Sequence, residues 1–193
     1  MKEIIIATKN AHKVYEFKAM LEPLGYTVKS LLDLDEDIEI EETGQTFAEN
    51  ATIKSKALYD VLHQEVISDD SGICIDFFDG GPGVYSSRWL GEETSYIDKN
   101  DYILNAMKDS ENRHAKYVCS MCHIEQDGTM HVYTGECHGE IAYAPCGENG
   151  FGYDPIFYYP EYGTTLANVS DEKKNQVSHR HQALMRLLEG MQK

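Results

Sequence analysis

The run Ile4-Ile5-Ile6-Ala7 is apolar without alternation and stops abruptly at Thr8-Lys9-Asn10. Such a run fits a buried strand leading into a polar loop, with a helix expected to follow. Val14, Phe17, Leu21 and Leu24 then recur at three- and four-residue steps, and Gly25 stands where a helix stops. Strand, polar loop and helix, with Tyr26 to Ser30 returning as a second strand, make an α/β opening.

Downstream signals extend that class. Residues 31–42 are acidic and weakly patterned, which predicts loop with a turn of helix or strand. Thr46 is placed to cap a helix whose apolar stripe is Phe47, Ala51, Leu58 and Leu62, with Asn50 and Lys54 one turn apart on another face. Val66-Ile67-Ser68 reads as a strand delivering Asp69-Asp70-Ser71-Gly72, and Ile73 to Phe77 continue beyond it. Asp79 to Gly83 reads as a tight loop without regular structure, followed by a helix around Ile97 to Met107. Lys116 to Gln126 and Thr129 to Ala142 flank the turn pair Asp127-Gly128 and predict a long hairpin. Ala183, Leu184, Leu187 and Leu188 share one face of a last helix ended by Gly190.

The 193 residues include 33 acids and 17 Lys or Arg, for a formal charge of −16. That length suits one domain or two small lobes. A chain so acidic repels nucleic-acid polymers, whose binding draws on Lys and Arg, yet a local basic pocket with a metal ion can still hold a free nucleotide. No apolar run reaches the roughly 18–20 residues of a membrane span and no leader is evident, so the expectation is a cytoplasmic protein with no membrane partner. The five cysteines are expected to be reduced, mostly buried strand thiols. Cys119-Ser-Met-Cys122-His123 matches a haem-attachment spacing but sits in a predicted strand, and no second CxxC completes a zinc site. The histidines outside Ser178-His179-Arg180 show no HExxH spacing and read as surface or satisfied residues.

Four polar clusters fall beside buried elements, where α/β proteins place ligands. Thr8, Lys9, Asn10 and Lys13 could converge on an anion at a helix start, or could be a cap with a solvated lysine. Asp69-Asp70-Ser71-Gly72 with Glu41-Glu42 suits Mg²⁺, which takes oxygen ligands, or is an acidic turn. In an extended segment adjacent residues face opposite ways, so only one of the two aspartates need point to a ligand. Phe151-Gly152-Tyr153-Asp154-Pro155 could stack on a planar base and accept from its ring N–H groups, or pack in a core turn. Ser178-His179-Arg180, preceded by Lys173-Lys174, is a donor-rich patch or a Ser-capped helix start. Neither GxxxxGK[ST] nor GxGxxG occurs.

Together with Glu42-Thr43-Gly44-Gln45-Thr46-Phe47 through Asn50, and Gly81-Pro82-Gly83-Val84-Tyr85-Ser86-Ser87-Arg88, these motifs resemble the inosine triphosphate pyrophosphatase family over essentially the whole chain. The resemblance implies one α/β domain over 1–193, built as two lobes around an elongated mixed β-sheet flanked by helices, with a nucleotide cleft between the lobes and commonly a homodimer. It implies an Mg²⁺-dependent hydrolase that converts ITP, dITP and XTP to the nucleoside monophosphate and pyrophosphate, clearing deaminated purines from the nucleotide pool. Carried over by position, Thr8, Lys9, Asn10 and Lys13 would line the triphosphate. Asp70 would be the general base and a metal ligand, Glu41 the second metal contact, and Ser71 a substrate contact. Phe151, Gly152, Tyr153, Asp154, Lys174, His179 and Arg180 would complete the nucleotide site, with Asn50 and Lys54 as further contacts.

On that reading His179 and Arg180 donate to the 6-oxo group of hypoxanthine or xanthine, where adenine presents a donor instead. Alternatives are a septum-formation-inhibitor type pyrophosphatase acting on modified pyrimidines, or a nucleotide-binding module without hydrolysis. The clusters Phe151 to Asp154 and Ser178 to Arg180 favour the purine reading.

Overall fold

The structure is a computed structural model that describes residues 2–34 and 38–191. Its eight strands form one mixed sheet flanked by helices, in the order β2-β1-β3-β5-β6-β7-β8 with β4 paired to β3. The strands are β1 (Lys2–Ile6), β2 (Tyr26–Ser30), β3 (Val66–Ile75), β4 (Gly81–Pro82), β5 (His114–Ile124), β6 (Met130–Ile141), β7 (Phe157–Tyr159) and β8 (Thr164–Thr165). The helices are α1 (Ala11–Leu21), α2 (Phe47–Leu62), α3 (Tyr96–Ala106), α4 (Asp171–Asn175) and α5 (His179–Gly190). By packing, the chain divides into two compact units, one of residues 1–70, 119–134 and 183–193, the other of 71–118 and 135–182.

In the first unit β1 runs parallel to β2 and to β3, with Ile4 opposite Val28 and Ile5 opposite Val66. Ile4 and Ile6 pack with Phe17 and Leu21 of α1 and Leu184 and Leu187 of α5, whereas Ile5 and Ala7 pack with Leu58 of α2. Burial of both faces is why the run shows no polar alternation. Asn10 caps α1 by accepting from the His12 and Lys13 N–H groups, at 3.0 and 3.3 Å. Thr46 and Glu49 form a reciprocal capping box that starts α2 where the sequence predicts it. Buried His123 meets Glu65 at 2.9 Å through Nε2, while its buried Nδ1 has no hydrogen-bond partner among the described residues, so only half of the ring is satisfied within the fold.

The second unit surrounds a core of Ile73, Ile75, Ile103, Met107, Tyr117, Ile141, Ile156 and Phe157. Ser95 caps α3 by accepting from the Asp98 N–H. Arg113, itself buried, donates to the carbonyls of Met107, Ile141 and Ala142 and so ties the end of α3 to the end of β6.

Several expectations are corrected. α1 ends at Leu21, and Glu22–Leu24 form a tighter 3₁₀ turn before Gly25 at φ 88°, which turns Leu24 out to 57% exposure instead of onto the buried stripe. β3 runs through the Asp69-Asp70 step, where each carboxylate finds a cation on its own side, but it ends at Ile75 and not at Phe77, because Asp76–Phe78 form a 3₁₀ turn. Residues Gly81–Pro82, read as irregular, form β4 and pair antiparallel with Cys74 and Ile75. Of the cysteines, Cys119, Cys122 and Cys137 are buried strand thiols as expected, Cys74 is half-buried, and Cys146 is exposed outside any strand; all five are free. The acidic stretch 31–42 contains a 3₁₀ turn at Leu31–Asp33, and its residues 35–37 lie outside the described ones.

Gly72 is held by its surroundings: a Cβ there would lie 2.3 Å from the Gly83 carbonyl oxygen and 2.4 Å from Ser86 Oγ. Ser86 Oγ meanwhile accepts from the Ile73 N–H at 2.9 Å and donates to the Gly83 carbonyl at 2.6 Å, so neither neighbour can retreat cheaply. Gly72→Ala is expected to lower stability by about 1–3 kcal/mol in a denaturant melt, the ordinary cost of overpacking. Thiol labelling of the native protein gives a second check. Cys146 should react first, and Cys137, whose thiol burial pushes up to about 12, should stay unmodified until the protein unfolds.

Candidate functional site

The pleat of β3 sorts its side chains by parity. Ser68 Oγ donates to the Ala51 carbonyl of α2, Asp69 Oδ2 meets Lys13 Nζ of α1 at 2.9 Å, and Asp70 Oδ2 accepts from Asn50 Nδ2 of α2 at 3.0 Å. The two adjacent carboxylates therefore point to opposite faces of the strand, each toward its own helix.

Around Asp70 the arrangement is closely tied. Asn50, fully buried, accepts the Gly44 N–H on its Oδ1 at 2.7 Å, which leaves its NH₂ to donate to Asp70. Gly44 has to be glycine for this, since a Cβ would lie 2.6 Å from Asn50 Oδ1. Lys54, one turn along α2, places Nζ 2.6 Å from Glu42 Oε1 and 3.7 Å from Asp70 Oδ1. Burial raises the Asp70 carboxyl above its ordinary value; Lys54 opposes the rise, Glu42 adds to it, and Lys13 and the Asn50 hydrogen bond oppose it. Burial works against the charge on Lys54, but Asp69, Asp70 and Glu42 together lift its pKa above the usual lysine value.

Beside this cluster lies the β1–α1 loop. Thr8 is buried, its Oγ1 accepts the Asn10 N–H at 3.1 Å, and Asn10 in turn caps α1. Lys9 and Asn10 are exposed, while Lys13 is largely covered. Glu41 is exposed on the loop before α2, and its neighbour Glu42 is the acid that reaches Lys54.

Oxygen donors and charge decide what this cluster can hold. The Lys54 ammonium already sits between two carboxylates, which marks a position where positive charge is favoured. Among the described residues no group of three or more His, Cys, Asp or Glu gathers as a metal cage. The carboxylates of Asp70 and Glu42 are the oxygen donors here that could serve a divalent cation completed by waters and substrate phosphates.

The second unit collects the other residues singled out from the sequence. Asp154, buried, accepts Lys174 Nζ at 2.7 Å and the Phe151 N–H at 2.9 Å on Oδ2, and Tyr117 OH at 3.2 Å on Oδ1. Gly150, at φ 70°, lies so close that a Cβ would come within 2.3 Å of Asp154 Oδ2. Lys174 Nζ also lies over the Phe151 ring, 4.7 Å from its centroid. His179 stacks on Tyr117 with centroids 4.7 Å apart and planes 13° apart, and buried Arg180 donates from Nη2 to Ser71 Oγ at 3.0 Å. Tyr153 is buried, donates its hydroxyl to the Ser86 carbonyl at 2.6 Å, and meets Tyr96 edge-on. Gly152 offers its carbonyl to Asn100 Nδ2 at 3.1 Å.

Thr8, Asn10 and Lys13 thus join Asp70 in the first unit, and Ser71, Phe151, Asp154, Lys174, His179 and Arg180 form connected contacts in the second. The pairs Lys13–Asp69 and Lys54–Glu42 were not foreseen as pairs. Strand parity at Asp69-Asp70 and the one-turn spacing of Asn50 and Lys54 were the available signals.

The chain is similar over its length to known proteins. Curated dITP/XTP pyrophosphatases of Bacillus licheniformis and Halalkalibacterium halodurans are 46% and 45% identical to it over 189 residues, covering 97% of this chain and 96% and 97% of theirs. The solved Ham1 protein of Staphylococcus aureus matches with a TM-score of 0.88 and 42% identity over 98% of this chain and 100% of its own. A HAM1 protein from Coxiella burnetii matches with a TM-score of 0.89 and 35% identity over 100% and 99%. The model of the Ham1 family covers residues 4–190, and the chain belongs to that family.

Proposed function

We propose that this protein is a nucleoside-triphosphate pyrophosphatase that hydrolyses ITP, dITP and XTP to the monophosphate and pyrophosphate, removing deaminated purines from the nucleotide pool. Relatives named dITP/XTP pyrophosphatase support the activity. The single observation that carries it is Asp70: a carboxylate buried at a strand's pleat, raised in proton affinity by burial, yet oriented by Asn50 and flanked by Lys54. Desolvation makes it a stronger base than a surface carboxylate, and the adjacent cation keeps it ionised.

In this reading Asp70 takes a proton from a water whose oxygen attacks the α-phosphorus. The bond from that phosphorus to the bridging oxygen breaks, and its electron pair leaves with pyrophosphate. Thr8, Lys9, Asn10 and Lys13 meet the phosphates with a hydroxyl, N–H groups and ammoniums at the start of α1. Mg²⁺, with Asp70 and an acid of the Glu41-Glu42 pair as ligands, supplies neutralisation of the phosphate oxygens when bound. We assign the base to the second unit: Phe151 offers a ring, and His179 and Arg180 offer donors suited to a 6-oxo group. Tyr153, Gly152 and Asp154 support that segment from behind through Ser86, Asn100, Lys174 and Tyr117.

The reading also takes 1–193 as one functional domain of two lobes, active in the cytoplasm as a homodimer. Among the described residues no helix is long and apolar enough to cross a membrane. An aromatic group of Phe77, Phe78, Trp89 and Tyr102, with Phe77 and Tyr102 substantially exposed, supports self-association, which sedimentation would measure.

Asp70→Asn should reduce kcat by about 10²–10⁴-fold while circular dichroism and substrate binding persist. A panel of dITP, XTP, dATP and dGTP, scored for pyrophosphate against orthophosphate, should give pyrophosphate from the first two. Preference for dATP, or orthophosphate as the product, would refute the assignment.

A further inference from the structure

We propose that Asp69, the neighbour of the assigned base, is a positioning residue that fixes the Lys13 ammonium for the polyphosphate tail; the inference deepens the reading above and rests on it. Asp69 is fully buried, and its Oδ2 lies 2.9 Å from Lys13 Nζ, a side chain that keeps 14% of its surface exposed. The carboxylate belongs to the interior of β3, while Lys13 starts from the first turn of α1 and stays partly exposed. An ammonium has three donors, and one contact with a buried acceptor leaves the others for an anion outside.

The geometry has a reason to be selective. A lysine side chain carries considerable rotamer entropy, which an untethered Lys13 would lose on meeting phosphate. Tethered to a carboxylate that cannot follow it outward, Lys13 is ordered before the ligand arrives. Asp69 also acts electrostatically on Lys54, so the same carboxylate reaches both lysines of the cluster. Cys119 Sγ donates weakly to the same oxygen, Asp69 Oδ2, at 3.9 Å, a second contact that holds the carboxylate in place. Alternation along the strand thus divides the labour: Asp70 faces the attacking water, and Asp69 holds the cation.

The test uses the full chain and a probe that needs no base and no catalysis, inorganic tripolyphosphate with Mg²⁺, followed by calorimetry. Asp69→Asn and Lys13→Met should each weaken binding by about tenfold, the scale of one charge-assisted contact. The double variant should bind no more weakly than the poorer single one, and binding of inosine, which has no phosphate, should be unchanged throughout. Unaltered tripolyphosphate affinity in Asp69→Asn, losses that multiply in the double variant, or equal loss of inosine binding would overturn the proposal. If Asp69→Asn does not fold, Asp69→Glu replaces it: moving the carboxylate by one methylene should weaken tripolyphosphate binding, and wild-type affinity would overturn the tether. Wild-type protein that couples Lys13 to Asp69 in this assay but releases no pyrophosphate from dITP would sink the catalytic reading and leave the positioning role standing.

Discussion

Everything chemical in the first unit depends on burying two neighbouring carboxylates in one strand. Isolated, each would cost several kcal/mol of lost hydration, and side by side they would repel. The pleat of β3 removes the conflict by sending Asp69 toward α1 and Asp70 toward α2, where Lys13 and Lys54 stand at 2.9 and 3.7 Å. The helix starts then become electrostatic necessities as well as packing elements. Asn10 and Thr46 decide where α1 and α2 begin, and hence which turn presents each cation to the strand.

The same logic recurs in the second unit with a different acid. Asp154 is buried beneath its own loop and answered by an ammonium, a backbone N–H and a phenol, so three groups converge on two oxygens. Such a network fixes the Phe151 to Asp154 segment without regular secondary structure, which glycines at positive φ on either side of Phe151 permit. Burial, followed by Asp154, raises the Tyr117 hydroxyl well above the ordinary phenol value, so Tyr117 serves as a donor and a stacking surface for His179 and not as an acid.

The α/β class, the opening strand–loop–helix unit, α2 with its cap, and the β5–β6 hairpin were all legible, because each rests on local periodicity or a turn pair. The end of β3 was not. A local view carries the strand on to Phe77, whereas the chain turns into a 3₁₀ helix at Asp76–Phe78, and the way Asp69 and Asp70 are accommodated within the strand depends on partners from α1 and α2, distant in sequence. Gly81–Pro82 became a strand for a related reason, since two residues carry no period of their own and gain one from Cys74 and Ile75. At the site, residue types were legible while pairings were not: Glu41 and Glu42 are equivalent as letters, and only the reach of Lys54 separates them.

Net charge is a poor guide to what such a protein binds. The chain carries −16 overall, yet its buried cations among the described residues are Lys54, Lys99, Arg113, Lys174 and Arg180. Buried Lys and Arg are uncommon and need a partner. Arg113 and Lys99 spend their donors on backbone carbonyls, which is structural use. Lys54, Lys174 and Arg180 instead meet Glu42, Asp154 and Ser71, groups that belong to the two clusters assigned to substrate. A chain acidic overall thus concentrates buried cationic side chains at a few polar contacts, and local placement, more than net charge, decides where an anion can be met.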